Sequence, residues 1–301
     1  FIMDGLRVVP GGTVTAEHRL LFEEDPGRLV RLFRICQIHE ARPDRALSLL
    51  VRERAHLLTP EVALSEESCS ALRAMLTEGG RVYATLNALR EHGLLYRLVP
   101  EFAGLHCLVQ FEFYHRWTAD VHTLRCLREL DRIYAGESLV EQKYREVVLG
   151  SEAPSLLYAI LFLHDIAKSG GIEGHAERGV PIADRILERL GFDAREREIA
   201  AGVIRHHLVM GLYWQRHDID DPANVERFAR LMGDEQVLRS LFAHTRCDAR
   251  ATSPDLWTDF KDGQHWSLYR RTLARLADAV DDDHAVAAAK LRTETTTLVG
   301  Q

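Results

Sequence analysis

One stretch of the chain is apolar on every side, and it predicts where the structural centre lies. Residues 155–168 read SLLYAILFLHDIAK, and nearly every position from 156 to 163 is apolar. A surface helix keeps one polar face, whereas a helix that is apolar all round is buried in a core. The pattern therefore predicts a central, buried helix that ends in the adjacent pair His164 and Asp165.

Apolar residues at helical spacing recur along most of the remaining chain, so the predicted fold class is all-α. We expect Asp25 to cap a helix with Pro26 at its first position. The first 22 residues alternate in polarity and allow one or two short strands or an irregular lead-in, while residues 94–110 and 215–222 are predicted connections. The further predicted helices cover residues 26–40, 47–51, 64–75, 82–92, 118–133, 175–190, 196–208, 223–232, 235–250 and 258–279, and a last Ala-rich one follows residues 281–283.

Composition narrows the classes of function. A net charge of -7 argues against general nucleic-acid binding, although it leaves room for a local basic site. The five cysteines are scattered and form no CxxC pair, which predicts neither a disulfide framework nor a zinc–thiolate site and fits a reducing cytoplasm. No apolar run reaches transmembrane length and the N-terminus lacks the order of a signal peptide. Position 1 is not Met, which is compatible with a fragment of a longer protein.

The pair at the end of the central helix indicates a metal site. An imidazole and a carboxylate in a low-dielectric place need a charge partner, and a divalent cation can serve both. The same reasoning selects three further positions on predicted helices: His122 beside an apolar stripe, the pair His206–His207, and Asp248 at a core position of LRSLFAHTRCDARA. The alternative is that these are separately satisfied polar residues of the core. A second His-Asp dipeptide, at 217–218, lies in a polar stretch, and we interpret it as surface.

The order His122, His164–Asp165, Asp248 resembles the HD-domain metal-dependent phosphohydrolases, whose fold is a helical bundle with ligands converging from several helices. The branch of that superfamily with two metals has extra histidine ligands, which His175 and the pair His206–His207 resemble. That branch also has a His-Asp-x-x-Lys pattern, which HDIAK matches with Lys168.

Several longer segments narrow the resemblance. EFAGLHCLVQFEFYHRWTADVHTL, FLHDIAK, VIRHHLVM, QRHDIDDP and WTDFK are similar to the HD domain of bacterial bifunctional uridylyltransferase/uridylyl-removing enzymes, which act on the nitrogen-signalling PII protein. GRVYATLNALREHGLLYRLVPEF is similar to the helical segment before that domain. The resemblance, which covers residues 25–275, implies a smaller helical segment over 25–110, an HD domain over 111–280 and a C-terminal helix or tail over 281–301. Residues 1–24 would be a lead-in, as a remnant of a nucleotidyltransferase domain.

The chain also departs from that family. The Gly-Ser and Asp-x-Asp motifs of the nucleotidyltransferase half and the C-terminal ACT domains are not found in this sequence. The resemblance therefore implies only the uridylyl-removing activity. It does not carry over uridylyl addition or glutamine sensing.

The resemblance implies one or two divalent ions and assigns their ligands. One ion would be held by His122, His164, Asp165 and Asp248, and Asp165 would bridge to a second ion held by His175, His206 and His207. Imidazole and carboxylate suit Mn²⁺, Fe²⁺, Mg²⁺ or Zn²⁺, and ligand type does not choose among them; we place Mn²⁺, Fe²⁺ and Mg²⁺ ahead of Zn²⁺. The ions would activate a water to attack phosphorus, which makes Asp165 a catalytic residue.

Basic residues are candidates for contact with the substrate phosphate. Lys168 is the first, with a catalytic role, and its alternative is an interaction with the dipole of the preceding helix. Arg205 and Lys261 are weaker candidates, and Trp257 is interpreted as packing. His115 and Asp120 lie near His122 and are predicted to orient ligands; Asp120 could equally cap a helix.

The sequence thus predicts a metal-dependent phosphodiesterase that removes a uridylyl group from a PII-like protein. One rival is a hydrolase of a free nucleotide or nucleotide second messenger that uses the same metal site. The other is a non-catalytic regulatory module. We expect a PII-like protein or a nucleotide as partner, no nucleic acid or membrane, and a cytoplasmic location; the sequence leaves the oligomeric state open.

Overall fold

The structure is a computed structural model that describes residues 2–109 and 117–278. It confirms the predicted all-α class, because helices dominate the described residues and the strands there form one small sheet. The predicted Ala-rich helix after residue 281 and the candidate His115 lie outside the described residues.

The N-terminal residues form strands, one of the two outcomes that the alternating pattern allows. Strands β1 (Ile2–Met3), β2 (Leu6–Val9) and β3 (Thr13–Ala16) are antiparallel, and β4 (Arg42–Pro43) pairs in parallel with β3. The β1–β2 turn is Asp4–Gly5, and both residues have positive φ, as a two-residue hairpin turn matching the strand twist requires. Leu6 and Val14 point into the core and are fully buried.

The first half of the chain continues as short helices close to the predicted ones. The helix predicted after Asp25 begins slightly later than expected, because the Asp25 carboxylate accepts from the Gly27 N–H at 2.9 Å and Pro26 stays in the preceding turn. The helices are α1 (Leu21–Glu24), α2 (Arg28–Ile38), α3 (Arg45–Arg54), α4 (Pro60–Ala63), α5 (Glu66–Leu76), α6 (Val82–Glu91) and α7 (Leu95–Leu98).

The second half contains the longer helices. Two of them, α9 and α13, were not predicted, and α13 reaches into the stretch that was read as a polar connection. The helices are α8 (Ala119–Ala135), α9 (Leu139–Leu149), α10 (Leu156–Leu163), α11 (His175–Arg189), α12 (Ala194–His206), α13 (Val209–Arg216), α14 (Pro222–Met232), α15 (Glu235–Thr252) and α16 (259–278).

Helix α10 is the centre of this half, as predicted. All eight of its residues are buried, and α5, α8, α11, α12 and α15 pack around it. A short helix surrounded by five others has no face left for polar residues, which explains its uniformly apolar sequence.

The end of α10 determines where the His-Asp pair points. His164 still donates its backbone N–H to Ile160 O, four residues back, but Ile166 and Lys168 donate three residues back, to Leu163 O and Asp165 O. The tighter i→i−3 pattern rotates successive side chains differently from an α-helix. Both His164 and Asp165 are therefore buried on the side that faces α8, α11, α12 and α15.

The cysteines and the length of the helices bear on the class of protein. All five cysteine thiols are free, as the lack of a disulfide framework predicted. Within residues 2–109 and 117–278, no helix has the length and apolar character needed to cross a bilayer.

Candidate metal centre

Six predicted side chains from five elements meet at the end of α10. His122 comes from α8, His164 and Asp165 from the turn after α10, His175 from the first residue of α11, His207 from the end of α12, and Asp248 from α15. All except Asp248 are almost completely buried. These residues are far apart in sequence, so the packing of the helices around α10 is what assembles them.

Three of the histidines are held in the same way. The Nδ1 atoms of His164, His175 and His207 donate to the backbone carbonyls of Leu161, Ile172 and Ile204, at 2.8, 2.6 and 2.7 Å. A carbonyl oxygen only accepts, so each Nδ1 carries the hydrogen and each Nε2 of a neutral ring keeps its lone pair. The backbone therefore fixes the tautomer that a metal ligand needs, with Nε2 turned toward the centre.

The first group of ligand atoms is built on His122, His164 and Asp248. His122 Nε2 lies 2.9 Å from Asp248 Oδ1, and His164 Nε2 lies 3.9 Å from the same oxygen. Cys126 belongs to the group as well, with its Sγ 3.5 Å from His122 Nε2. One ligand atom from each of these four residues lies within 4.8 Å of the others.

The second group is built on Asp165, His175 and His207. Asp165 Oδ1 lies 3.2 Å from His175 Nε2 and 3.7 Å from His207 Nε2, and the two nitrogens are 3.2 Å apart. Neighbouring ligands of an octahedral ion at about 2.1 Å would be about 3 Å apart. The three atoms are therefore spaced as the ligands of a single ion would be.

Asp165 lies between the two groups. Its Oδ1 faces His175 and His207, while its Oδ2 lies 3.2 Å from His164 Nε2 and 4.0 Å from His122 Nε2. One carboxylate thus presents one oxygen to each group. This is the arrangement that a bridging ligand of two ions requires.

Lys168 is part of the same centre. Its Nζ lies 2.7 Å from Asp165 Oδ2, and its side chain is only 11% exposed. Burial would lower the pKa of this ammonium, but the Asp165 carboxylate outweighs burial and raises it. The lysine therefore stays charged beside the oxygen that faces the first group.

The two carboxylates of the centre stay ionised, and His207 stays neutral. Burial would raise the pKa values of Asp165 and Asp248, yet His164 and Lys168 beside Asp165, and His122 beside Asp248, hold both well below the usual range. Burial, reinforced by His164, lowers the pKa of His207 to about 4. Two buried carboxylates with imidazole nitrogens beside them form a donor set that a divalent cation would satisfy.

The remaining predicted residues lie outside the two groups. His206 is half-buried and belongs to neither group. Arg205 pairs with Glu177 at 3.3 Å on the surface, and Lys261 Nζ donates to Leu256 O at 2.9 Å. The second His-Asp dipeptide, 217–218, is exposed.

Asp120, predicted to orient a ligand or cap a helix, and Trp257, interpreted as packing, both contact residues outside the two groups. Asp120 is buried and accepts from Tyr96 Oη at 2.6 Å and from His106 Nδ1 at 3.4 Å. Trp257 packs edge-on against His265 and donates its Nε1–H to Asp262 at 2.9 Å, which agrees with its interpretation as a packing residue.

Two residues of the centre were missed from the sequence. Cys126 is one helical turn after His122 on α8, and His244 is one turn before Asp248 on α15. Residues four apart share a helix face, so the spacing His-x-x-x-Cys and His-x-x-x-Asp would have identified both. Burial raises the pKa of the Cys126 thiol well above its ordinary value and lowers the pKa of His244 well below its ordinary value. Both side chains are therefore neutral.

This geometry matches a known domain. Residues 120–240 match the family model described as HD domain. Over these residues the chain is similar to an HD domain. The matched residues include the His122, His164–Asp165, His175 and His207 positions of the centre, while Asp248 follows the match.

Curated relatives of this chain share one name, bifunctional uridylyltransferase/uridylyl-removing enzyme. The protein from Caulobacter vibrioides is 32% identical over 265 residues, which are 88% of this chain and 28% of that one. Those from Methylococcus capsulatus and Phenylobacterium zucineum are 32% and 34% identical, over 91% and 89% of this chain and 32% and 28% of theirs. The chain thus spans less than a third of the relatives' length. An HD domain with such relatives supports a metal-dependent hydrolase.

Solved structures agree on the fold alone. Two forms of a tRNA-processing enzyme, apo form 2 and apo form I, align with TM-scores of 0.54 and 0.50 at 15% and 16% identity. The alignments cover 86% of this chain in both cases and 64% and 62% of those chains. At this identity the likeness says nothing about chemistry.

Proposed function

We propose that this chain is a metal-dependent phosphodiester hydrolase that removes a uridylyl group from a PII-like signalling protein. The observation that carries the proposal is the position of Asp165, whose two carboxylate oxygens face two separate sets of histidines. A carboxylate in an ordinary salt bridge needs only one set of partners. A carboxylate shared by two metal ions needs a set of ligands for each ion.

The residues have distinct roles in this proposal. His122, His164 and Asp248 would hold one divalent ion, His175 and His207 would hold the other, and Asp165 would contribute to both; on the resemblance, His206 would join the second set. Mn²⁺, Fe²⁺ and Mg²⁺ are the ions we put first. Bound ions of this kind lower the pKa of a water and polarise phosphoryl oxygens.

Lys168 supports the reaction as a positive charge inside the centre. Beside Asp165 Oδ2, its ammonium is placed to interact with a phosphoryl oxygen that gains negative charge as the phosphodiester is cleaved. The surrounding backbone carbonyls keep the histidine Nε2 atoms directed inward during the reaction. Helices α8, α11, α12 and α15 pack around α10, and they bury these groups except Asp248, which is partly exposed.

The proposal also covers the domain boundaries and the cellular location of the chain. We assign the HD domain to 111–280, the preceding helical segment to 25–110 and a tail to 281–301. Residues 1–24 are proposed to be a remnant of a nucleotidyltransferase domain. The free thiols fit the cytoplasm as location.

The test compares a uridylylated PII-like protein with free nucleotides and nucleotide second messengers, in the presence of Mn²⁺. We expect release of UMP from the protein by wild type and none by Asp165→Asn. Turnover of the free nucleotides with none of the protein would contradict the proposed substrate and favour the rival hydrolase. Inertness toward both, in a protein that has bound metal, would favour a regulatory module.

A further inference from the structure

His244 is a buried histidine that the proposed ligand set does not use. It lies on α15 with 0% of its surface exposed. Its ring packs against one histidine of each group, with centroid distances of 4.9 Å to His164 and 5.7 Å to His207. The side chain therefore lies at the wall of the centre, next to both groups.

Neither ring nitrogen of His244 has a hydrogen-bond partner among the residues that the structure describes. A neutral imidazole carries one N–H donor and one acceptor. Leaving a buried donor unpaired costs the free energy of its lost contact with water, and native proteins rarely do so without a reason.

Another buried histidine of the same helical core shows the ordinary arrangement. His265 is also 0% exposed, but its Nε2 donates to Phe242 O at 2.8 Å. A histidine used only for packing thus finds a backbone carbonyl in this fold. Within residues 2–109 and 117–278, His244 has no such carbonyl partner, and its ring packs against His164 and His207.

We propose that His244 is a positioning residue of the loaded centre, where it hydrogen-bonds to an oxygen that completes the coordination of the bound divalent ions. Direct coordination fits less well, since His244 belongs to neither group whose ligand atoms lie within 4.8 Å of one another. Because the ring contacts both His164 and His207, one hydrogen bond from it would stabilise the ligands of both groups. The inference rests on the metal centre of the proposed function and on no particular substrate.

The test measures metal binding and thermal unfolding, not catalysis. His244→Phe keeps a flat ring of similar size and removes both nitrogens. We expect it to bind Mn²⁺ about tenfold more weakly than wild type by calorimetry, as loss of a supporting hydrogen bond does in other metal sites. Without metal, its Tm should equal or exceed that of wild type, because an unpaired polar group has been removed. The gain in Tm on adding Mn²⁺ should be smaller for His244→Phe than for wild type.

Two further variants make the result specific. His244→Gln restores an amide near the position of the ring nitrogens and should recover part of the Mn²⁺ affinity. His265→Phe should do the opposite of His244→Phe: it should lower the metal-free Tm by removing the hydrogen bond from His265 Nε2 to Phe242 O, and leave the gain in Tm on adding Mn²⁺ unchanged.

Equal Mn²⁺ affinity and an equal gain in Tm for wild type and His244→Phe would overturn the proposal and make His244 a packing residue. Should His244→Phe not fold, His244→Leu carries the same comparison. Failure to bind metal in wild type would also overturn it. A wild type that binds Mn²⁺ and hydrolyses nothing would refute the proposed function but leave this inference standing.

Discussion

The Nε2 atoms of His175 and His207 lie 3.2 Å apart, and both rings already use their Nδ1–H toward backbone carbonyls. In neutral rings, two lone pairs then face each other, and Asp165 Oδ1 adds a third set of lone pairs 3.2 Å from His175. Such a cluster repels itself unless a cation lies at its middle. The relationship between these two nitrogens is therefore a strong sign that the centre is built around an ion.

Removing either histidine should remove that ion. We expect His175→Ala and His207→Ala to lose about one equivalent of bound Mn²⁺, because three ligands would be reduced to two. Elemental analysis of the purified, metal-loaded proteins measures this. His217→Ala is the matched control, since His217 is exposed and its Nδ1 contacts only the nearby Tyr213 O among its described hydrogen bonds. Unchanged metal content in both site variants would contradict a second ion at this position.

The adjacent His206 should matter less than His207. Because His206 is half-buried and lies outside both groups, we expect His206→Ala to weaken Mn²⁺ binding by a smaller factor than His207→Ala. Calorimetric titration with Mn²⁺ measures the affinity of the two variants. A greater loss from His206→Ala would mean that the half-buried ring turns inward to bind the ion, as the resemblance implies.

Lys168 should contribute to turnover more than to metal binding. Lys168→Met keeps the length of the side chain but removes its charge, so we expect kcat for phosphodiester hydrolysis to fall by about a hundredfold with bound metal retained. Lys261→Met is the control, because Lys261 Nζ is occupied by Leu256 O, and its kcat should stay near that of wild type. An equal fall in both variants would argue against a special role for Lys168.

The carboxylate of Asp262 should stabilise the fold rather than the site. It accepts from Tyr144 Oη at 2.8 Å and Trp257 Nε1 at 2.9 Å and pairs with Lys143. Burial would raise its pKa, but these three partners outweigh burial and lower it. Asp262→Asn should therefore cost about 2 kcal/mol of unfolding free energy at pH 7.

The pH dependence of that loss has a definite sign. A carboxyl group with a lowered folded pKa stabilises the fold above its unfolded pKa of about 3.9 and loses this contribution as the pH falls through the folded value. The difference between wild type and Asp262→Asn should thus be constant at neutral pH and shrink below about pH 4. Denaturant unfolding at several pH values measures it, with the exposed Asp255→Asn as control. A difference that grows on acidification would contradict the assignment.

The sequence could predict the elements of the centre because each has a local signal. The all-apolar run over residues 156–163 can only be a buried helix, and the His-Asp pair must follow it into the core. Periodicity likewise located α8, α11, α12 and α15. The pairing of β4 with β3 was not predictable in this way, since a two-residue strand has no periodicity of its own and is defined by its partner.

Other parts of the centre depend on packing that one sequence does not reveal. His206 and His207 are adjacent, so a helical pattern cannot say which ring turns inward; the contact of α12 with α10 and α15 decides it. His244 was overlooked because a histidine in an apolar helix is expected to be a satisfied core residue. Only the structure reveals that its nitrogens have no partner among the described residues.

Hydrolysis of bis(p-nitrophenyl) phosphate tests the central claim most directly, because this substrate needs a working metal centre and no protein partner. Wild type and Asp165→Asn are compared with Mn²⁺, Fe²⁺, Mg²⁺ and Zn²⁺ after removal of metal with a chelator. We predict activity in wild type that disappears with the metal, returns when it is added back, and falls by at least about a hundredfold in Asp165→Asn. A wild type that demonstrably binds two ions and hydrolyses nothing with any of the four metals would contradict the account.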